Sequence, residues 1–322
     1  MIGADLREQV RALAADYPDI YACVDPDRVA GQRATPAGDD FGPASDGGRG
    51  DSYIVAQQAT GTRARGIAQL VGLIRRSGRA DSNVMADLLG GDGLVRRVVA
   101  SLGPGQPTVV TCDASPFMVE AAWASGIPAL LQRAEAPVFR TGSVGGVLLA
   151  YGTHHIPPDQ RQTVIREAMR ILAPGGALVV HDFLSGSPMA DWFTKVVDAY
   201  SITGHDYVHF ESGEMESYLR SAGFTDIGNL MMDDSFVMWA PTRDQAELSL
   251  GGYLCDMYGL VRLNEEYGTR GAPKRALELA TDTFRYEDSR YGSVRSDYDL
   301  GRGMWRTRMP RVAHVSFGRK PE

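Results

Sequence analysis

A glycine-rich turn set between two apolar segments constrains this chain more than any other feature. Val84-Met85-Ala86 leads into Asp87-Leu88-Leu89-Gly90-Gly91-Asp92-Gly93, and a second apolar segment over 108–112 ends at Asp113, twenty residues beyond Gly93. A strand, a turn whose glycines let the backbone approach a ligand, a helix and a second strand ending in an acid make one half of a nucleotide-binding α/β sheet. The acid can grip the two hydroxyls of a ribose. The expectation is an adenosine-containing cofactor.

The rest of the chain supplies the remaining layers. Helical spacing covers 3–16 and 64–76, with Ile67, Leu70, Val71 and Ile74 on one face of the second. Residues 31–52, rich in Gly, Asp, Pro and Ser, read as loop or linker. Strands are expected at 84–88, 108–112, 129–131, 145–150 and 177–180. The helices between them lie at 94–99, 115–125 (with Ser115 as N-cap and Pro116 at its first position) and 159–172. This alternation implies a parallel sheet with helices on both faces. Farther on come a helix at 214–222, a hairpin over 225–240 turning near Asp233-Asp234, helices at 244–262 and 273–284, and a late strand at 312–317.

A net charge of −7 argues against a nucleic-acid partner, since phosphate binding needs a basic face. No stretch approaches the roughly 18 apolar residues of a membrane helix. The N-terminal residues lack the basic-then-apolar pattern of a signal peptide, so a cytoplasmic protein is expected. The widely separated Cys23, Cys112 and Cys255 show no zinc-knot spacing.

Two details narrow the cofactor. The turn is Gly-Gly-Asp-Gly rather than the spaced Gly-x-Gly-x-x-Gly that presents a helix N-terminus to a pyrophosphate. In addition, Leu172-Ala173-Pro174-Gly175-Gly176 precedes a hydrophobic strand. Here the chain resembles the class I S-adenosylmethionine-dependent methyltransferases over about residues 80–243. The resemblance implies a Rossmann-like α/β sheet, S-adenosylmethionine as methyl donor and a small-molecule acceptor. It divides the chain into an N-terminal helical and loop region (1–80), the methyltransferase domain (81–243) and a C-terminal extension (244–322). In related enzymes such additions cover the active site or build a homodimer. By position, Asp87, Gly90, Gly91 and Gly93 would face the amino-acid end of the donor, and Asp113, with Ala114 beside it, would hold the ribose. The family often has an acid after its third strand to meet the adenine amine. Gln132-Arg133-Ala134 stands there instead, leaving adenine to backbone groups and apolar neighbours such as Phe117 and Ala134. Tyr151 falls where the family lines the methyl-donor pocket, and it reads equally as core.

Six histidines add a second signal, five of them between 154 and 209. His155 and His181-Asp182 fall at the C-terminal strand edge, where open α/β sheets bind ligands. His205 and His209 lie on one side of their segment whether it is helix or strand. A site for a divalent transition metal, iron or zinc, is expected at His181 with His209, or less favourably His205. Against it stands a metal-free pocket with histidines held by hydrogen bonds. The His154-His155 pair reads as pocket-shaping, and His314 as structural. The His181-Asp182 ending also resembles the metal-dependent C-methyltransferases that act on 2-oxo acids in peptide-antibiotic biosynthesis. That resemblance implies carbon methylation of a 2-oxo acid or similar enolisable metabolite, with His155 or Asp182 as base. Two alternatives stay open: a metal-free O- or N-methyltransferase with a histidine base, and a methyltransferase fold with a non-methyl reaction or a binding role. Trp192, Phe193, Tyr253, Met257, Tyr258, Met304 and Trp305 fit a substrate pocket, but such side chains at helical spacing more often form core.

Overall fold

A computed structural model describes residues 3, 5–32 and 40–322. The part of the expected 31–52 loop that spans 33–39 lies outside the described residues. Seven strands form the main sheet: β1 (Val84–Asp87), β2 (Thr108–Asp113), β3 (Ala129–Leu131), β4 (Val144–Leu149), β5 (Leu172–Asp182), β6 (Thr225–Asp233) and, from the far end of the chain, β10 (Val312–Arg319). Their order is β3-β2-β1-β4-β5-β10-β6. The first five run parallel, and β10 is antiparallel to both neighbours. This is the expected Rossmann-like sheet. Its strand order reverses between β1 and β4, which opens a crevice beyond their C-terminal ends.

Each face of the sheet is apolar and covered. The helix Ala64–Ser77 lays Ile67, Leu70, Val71 and Ile74 on one face with the helix Leu94–Ser101, against Met85, Leu148 and Val179. Helices Leu6–Asp16, Pro158–Ile171 and Glu214–Ser221 cover the other, against Val147, Leu178 and Val180. Adjacent residues of β5 thus enter opposite layers, as the twofold period of a strand requires.

The expected hairpin over 225–240 does not form. β6 pairs with β10, whereas β7 (Phe236–Ala240) pairs with β9 (Met304–Met309) in a second sheet of order β7-β9-β8, where β8 is Arg295–Asp299. The chain leaves one sheet for the other at Asp234. That residue's N–H donates to the Arg311 carbonyl (2.9 Å), and its carboxylate is gripped by the Arg311 guanidinium. A domain boundary at 243 is corrected for the same reason: the methyltransferase sheet is completed by 312–319, so the C-terminal region is partly sheet and partly cap. Helix Gly50–Gln57 also begins inside the stretch read as loop.

Helix Arg243–Tyr258 packs on Val261–Thr283 and on Gly50–Gln57. They enclose a second core in which Trp192, Phe193, Tyr253, Met257 and Tyr258 are buried beside Phe236 and Phe284. These residues are core. Met304 and Trp305 lie on β9, half-buried. Among the described residues no helix is long and apolar enough to cross a membrane.

Gly251 sets the spacing of the two cap helices, since a Cβ there would sit 1.9 Å from the Pro273 carbonyl oxygen. Gly252 has open space at the same position. Gly251→Ala should therefore destabilise by roughly 2–3 kcal/mol through forced separation of the helices. Gly252→Ala should be neutral or stabilise by up to about 1 kcal/mol through helix propensity. Urea denaturation of the pair checks this, and equal behaviour of the two would contradict it.

Candidate active site

The C-terminal ends of β1, β2 and β4 surround a cavity of about 280 Å³. Gly91, Asp113, Ala114, Ala134, Tyr151 and His155 line it, together with Tyr53, Leu89, Met118, Arg133, Gln160 and Tyr207. The turn after β1 is braced from below. Gly93 sits in the left-handed region (φ 88°), and the N–H of Gly90 donates to the Cys112 carbonyl (2.8 Å). The Gly91 N–H donates to Asp113 Oδ2 (2.8 Å) and the Ser115 N–H to Asp113 Oδ1 (2.9 Å). These two N–H groups orient the carboxylate beside the turn, on the cavity wall. Asp87, Gly90 and Gly93 build this turn and do not line the cavity. Phe117 is not on its wall either. Ser115 caps the helix Pro116–Ala124, whose winding turns Met118 toward the cavity and Phe117 toward Gly50.

Two polar groups beside the turn are buried without full partners. Asp87 Oδ2 accepts no hydrogen bond, and burial, then the charge of Asp113, pushes the Asp87 carboxyl up to about 8. Arg63 lies over the Tyr151 ring (4.2 Å), its Nε donates to nothing, and among the described residues no carboxylate is within ion-pair distance of it. Tyr151 itself has φ 64°, an uncommon conformation for a bulky residue, and its hydroxyl donates to Asp234 (3.2 Å).

β5 carries its two candidates to opposite faces. His181 enters the layer of Val179, where Nε2 lies 3.4 Å from Asp234 and the ring packs on Tyr151 (4.5 Å between centroids). Burial alone would raise the Asp234 carboxyl, but Arg311 and His181 hold it below its usual range. Asp182 enters the layer of Val180. There it accepts from the N–H of His154 (2.6 Å), from His154 Nδ1 (2.9 Å) and from the N–H of Phe183 (2.7 Å). Burial would raise Asp182 too, and His154 and the Phe183 N–H outweigh it. The expected pairing of His181 with His209 at a metal is thus corrected: the sheet separates them. An Asp182 already accepting from three N–H groups is likewise no base.

The residue that sequence reasoning passed over is His154. With Nδ1–H committed to Asp182, its Nε2 offers a lone pair, and Nε2 of His205 lies 3.1 Å away. Donor atoms of His154, His155 and His205 all fall within 4.8 Å of one another, and those of His154, Asp182 and His209 form a second such group. Phe193 stacks on both His205 (3.9 Å between centroids) and His209 (5.3 Å). Burial, then the nearness of His154, pushes His205 down to about 2 and His209 to about 4, and holds His155 well below its ordinary value. All three imidazoles are neutral at neutral pH. His314, expected to be structural, bonds Glu216 (3.0 Å) and Ser316 (3.1 Å).

A family model describing a methyltransferase domain matches residues 86–180, the segment from β1 through β5 that carries the glycine turn, Asp113 and the Pro-Gly-Gly turn. Over that segment the chain is similar to methyltransferase domains. Its sequence is similar to the uncharacterized protein YafE of Escherichia coli, 33% identical over 101 residues, which is 31% of this chain and 47% of that protein. The chain thus spans about half the length of the curated relative it matches. Similar solved structures include the YcgJ protein of Bacillus subtilis (16% identity, TM-score 0.45, covering 79% of this chain and 99% of that one). A phosphoethanolamine N-methyltransferase of Haemonchus contortus, solved with phosphomonomethylethanolamine and S-adenosylhomocysteine, shares 15% identity (TM-score 0.49, 79% and 53% covered). A SAM-dependent methyltransferase of Archaeoglobus fulgidus shares 10% (TM-score 0.48, 83% and 99% covered).

The raised carboxyl of Asp87 gives the methyltransferase domain a pH signature. Its folded value near 8 lies above the ordinary 3.8. The native state therefore keeps a proton that the unfolded chain releases, and stability falls as pH rises from about 4 to about 8. Asp87→Asn should flatten that slope. Denaturation curves at about pH 5 and about pH 8 check it, and parallel losses in both proteins would show Asp87 ionised in the fold.

Proposed function

We propose that the protein transfers a methyl group from S-adenosylmethionine to an enolisable carbon of a small 2-oxo acid or related metabolite, with a divalent metal assisting. One observation carries this reading: His155 both lines the donor cavity and belongs to the imidazole group formed with His154 and His205. A site for acidifying the acceptor thus adjoins the site for the methyl donor.

The residues present fit both absent groups. Asp113 suits the ribose hydroxyls. The partnerless Asp87 Oδ2 and Arg63 Nε suit the ammonium and carboxylate of the donor's amino-acid end. The donor supplies an electrophilic methyl group. For the metal, imidazoles suit iron or zinc, and His154 and His205, whose Nε2 atoms lie 3.1 Å apart, are the residues that would hold it. Asp182 on Nδ1 of His154 is the carboxylate–histidine arrangement that fixes the tautomer of a ligand. A metal held there would draw electron density from the acceptor's keto oxygen and acidify the adjacent C–H.

His155 is the residue placed to take that proton. Its depressed basicity matches an acidified carbon acid and makes it a poor base toward an ordinary alcohol. The cavity wall then holds donor and acceptor together, which lowers the barrier by proximity. A metal-free transfer to oxygen or nitrogen, with His155 as base, is the second reading, favoured only by the neutrality of that imidazole. A product lacking one added methyl group would point instead to a non-methyl reaction or a binding role.

Purified protein should contain iron or zinc, and EDTA should abolish turnover. His154→Ala and His205→Ala should each lose most of the metal while S-adenosylhomocysteine affinity changes less than about two-fold. Asp113→Asn should weaken that affinity by roughly 10- to 100-fold and leave metal content unchanged. Metal-free protein with undiminished activity would overturn the metal assignment and leave the methyltransferase reading standing.

A further inference from the structure

Most arginines in the interior have an acidic partner. Arg97 pairs with Asp92, Arg161 with Glu214, Arg308 with Asp233 and Arg311 with Asp234. Arg49 does not: among the described residues no carboxylate lies within ion-pair distance of its guanidinium. This cation is nevertheless built in. It precedes the helix Gly50–Gln57, its own N–H donates to the Asp40 carbonyl (2.9 Å), and the N–H of Tyr53 donates to its carbonyl (3.0 Å). Nη1 donates to the Met257 carbonyl near the end of the cap helix (2.9 Å). Gly259 makes room for the side chain, since a Cβ there would come within 3.0 Å of Arg49 Cβ. The guanidinium lies over the Phe41 ring (4.2 Å) and beside Tyr53 (5.6 Å), two residues on the cavity wall.

What remains of the guanidinium is an unused edge. Nε and Nη2 donate to no protein atom among the described residues, and neither is sealed away as Arg63 Nε is. The Phe41 ring beneath the guanidinium packs in turn on His155 (5.6 Å between centroids), which places the charge on the same side as the imidazole group. A cation with no carboxylate partner is costly in a half-buried site unless an anion arrives. A planar fork with two free N–H groups on one side is the partner a carboxylate takes bidentately.

We propose that Arg49 is the clamp for the acceptor's carboxylate, which makes the acceptor an organic anion docked between Arg49 and the imidazole group, beneath Phe41 and the cap helix Arg243–Tyr258. The proposal rests on the acceptor class given above and selects the residue that recognises it.

Calorimetry with S-adenosylhomocysteine bound tests the clamp. The probes are 2-oxobutyrate, 4-methyl-2-oxopentanoate and phenylpyruvate, each beside its methyl ester. At least one acid should bind the wild-type protein. Arg49→Met should weaken that binding by roughly 30-fold or more, and Arg49→Lys, which keeps the charge but loses the fork, should fall between. Ester binding and S-adenosylhomocysteine affinity should be the same in all three proteins, the latter also showing that the variants fold. An acid that binds Arg49→Met and wild type alike overturns the clamp and leaves the acceptor class intact. Equal losses for acid and ester, in either variant, overturn it as a general packing effect. Failure of every acid to bind the wild type while S-adenosylhomocysteine binds overturns both the clamp and the 2-oxo acid class, and leaves the methyltransferase assignment untouched.

Discussion

The three hydrogen bonds that Asp182 accepts hold the site together. They join the last residue of β5 to the loop after β4, fix the ring of His154 and leave its outer nitrogen as a lone pair. A buried carboxylate stays ionised only where such donors replace water. Without them the His154 ring would be free to turn and the imidazole group would lose its centre. His205 and His209 sit on a segment of little regular structure, held by stacking on Phe193 and by their nearness to His154. The cluster therefore depends on a residue that itself faces no cavity.

The strand that delivers Asp182 also divides the interior into two chemistries. On one side of β5, His181, Asp234, Arg311 and Tyr151 form a closed ionic knot at the point where the chain passes from one sheet to the other. On the other, the imidazoles gather around His154, with His155 on the cavity wall. One residue's shift along β5 would exchange the two, so the pairing of β5 with β4 and β10 is a functional constraint as well as a structural one.

Much of the donor site was legible because its signals are local. The glycine turn, Asp113, the Ser115 cap and the Pro-Gly-Gly turn each lie within a few residues of the element they shape. The acceptor side was less legible, because it is assembled from segments with no periodicity of their own. Arg49 comes from a stretch whose composition reads as loop, and His205 from a segment that the sequence leaves open between helix and strand. The choice of His181 over His154 was an error of parity: the alternation of β5 continues through Asp182, so only one of two adjacent residues can face the cluster. Phe117 and Met118 were exchanged in the same way, by the phase of a short helix. The failed hairpin has a different origin. Nothing between 225 and 240 announces that a strand some 80 residues later will take the place beside β6.

That late strand governs the order in which the molecule can assemble during synthesis. Until β10 leaves the ribosome, β5 has an open edge of unpaired backbone groups running up to His181 and Asp182, and β6 has no partner in the sheet. The first five strands can form a donor cavity early, since their contacts are near in sequence. The ionic knot cannot close before Arg311 has been made. A nascent chain therefore passes through a stage with a half-built sheet whose sticky flank lies next to the future reaction centre, a stage in which chaperones would find their binding surface.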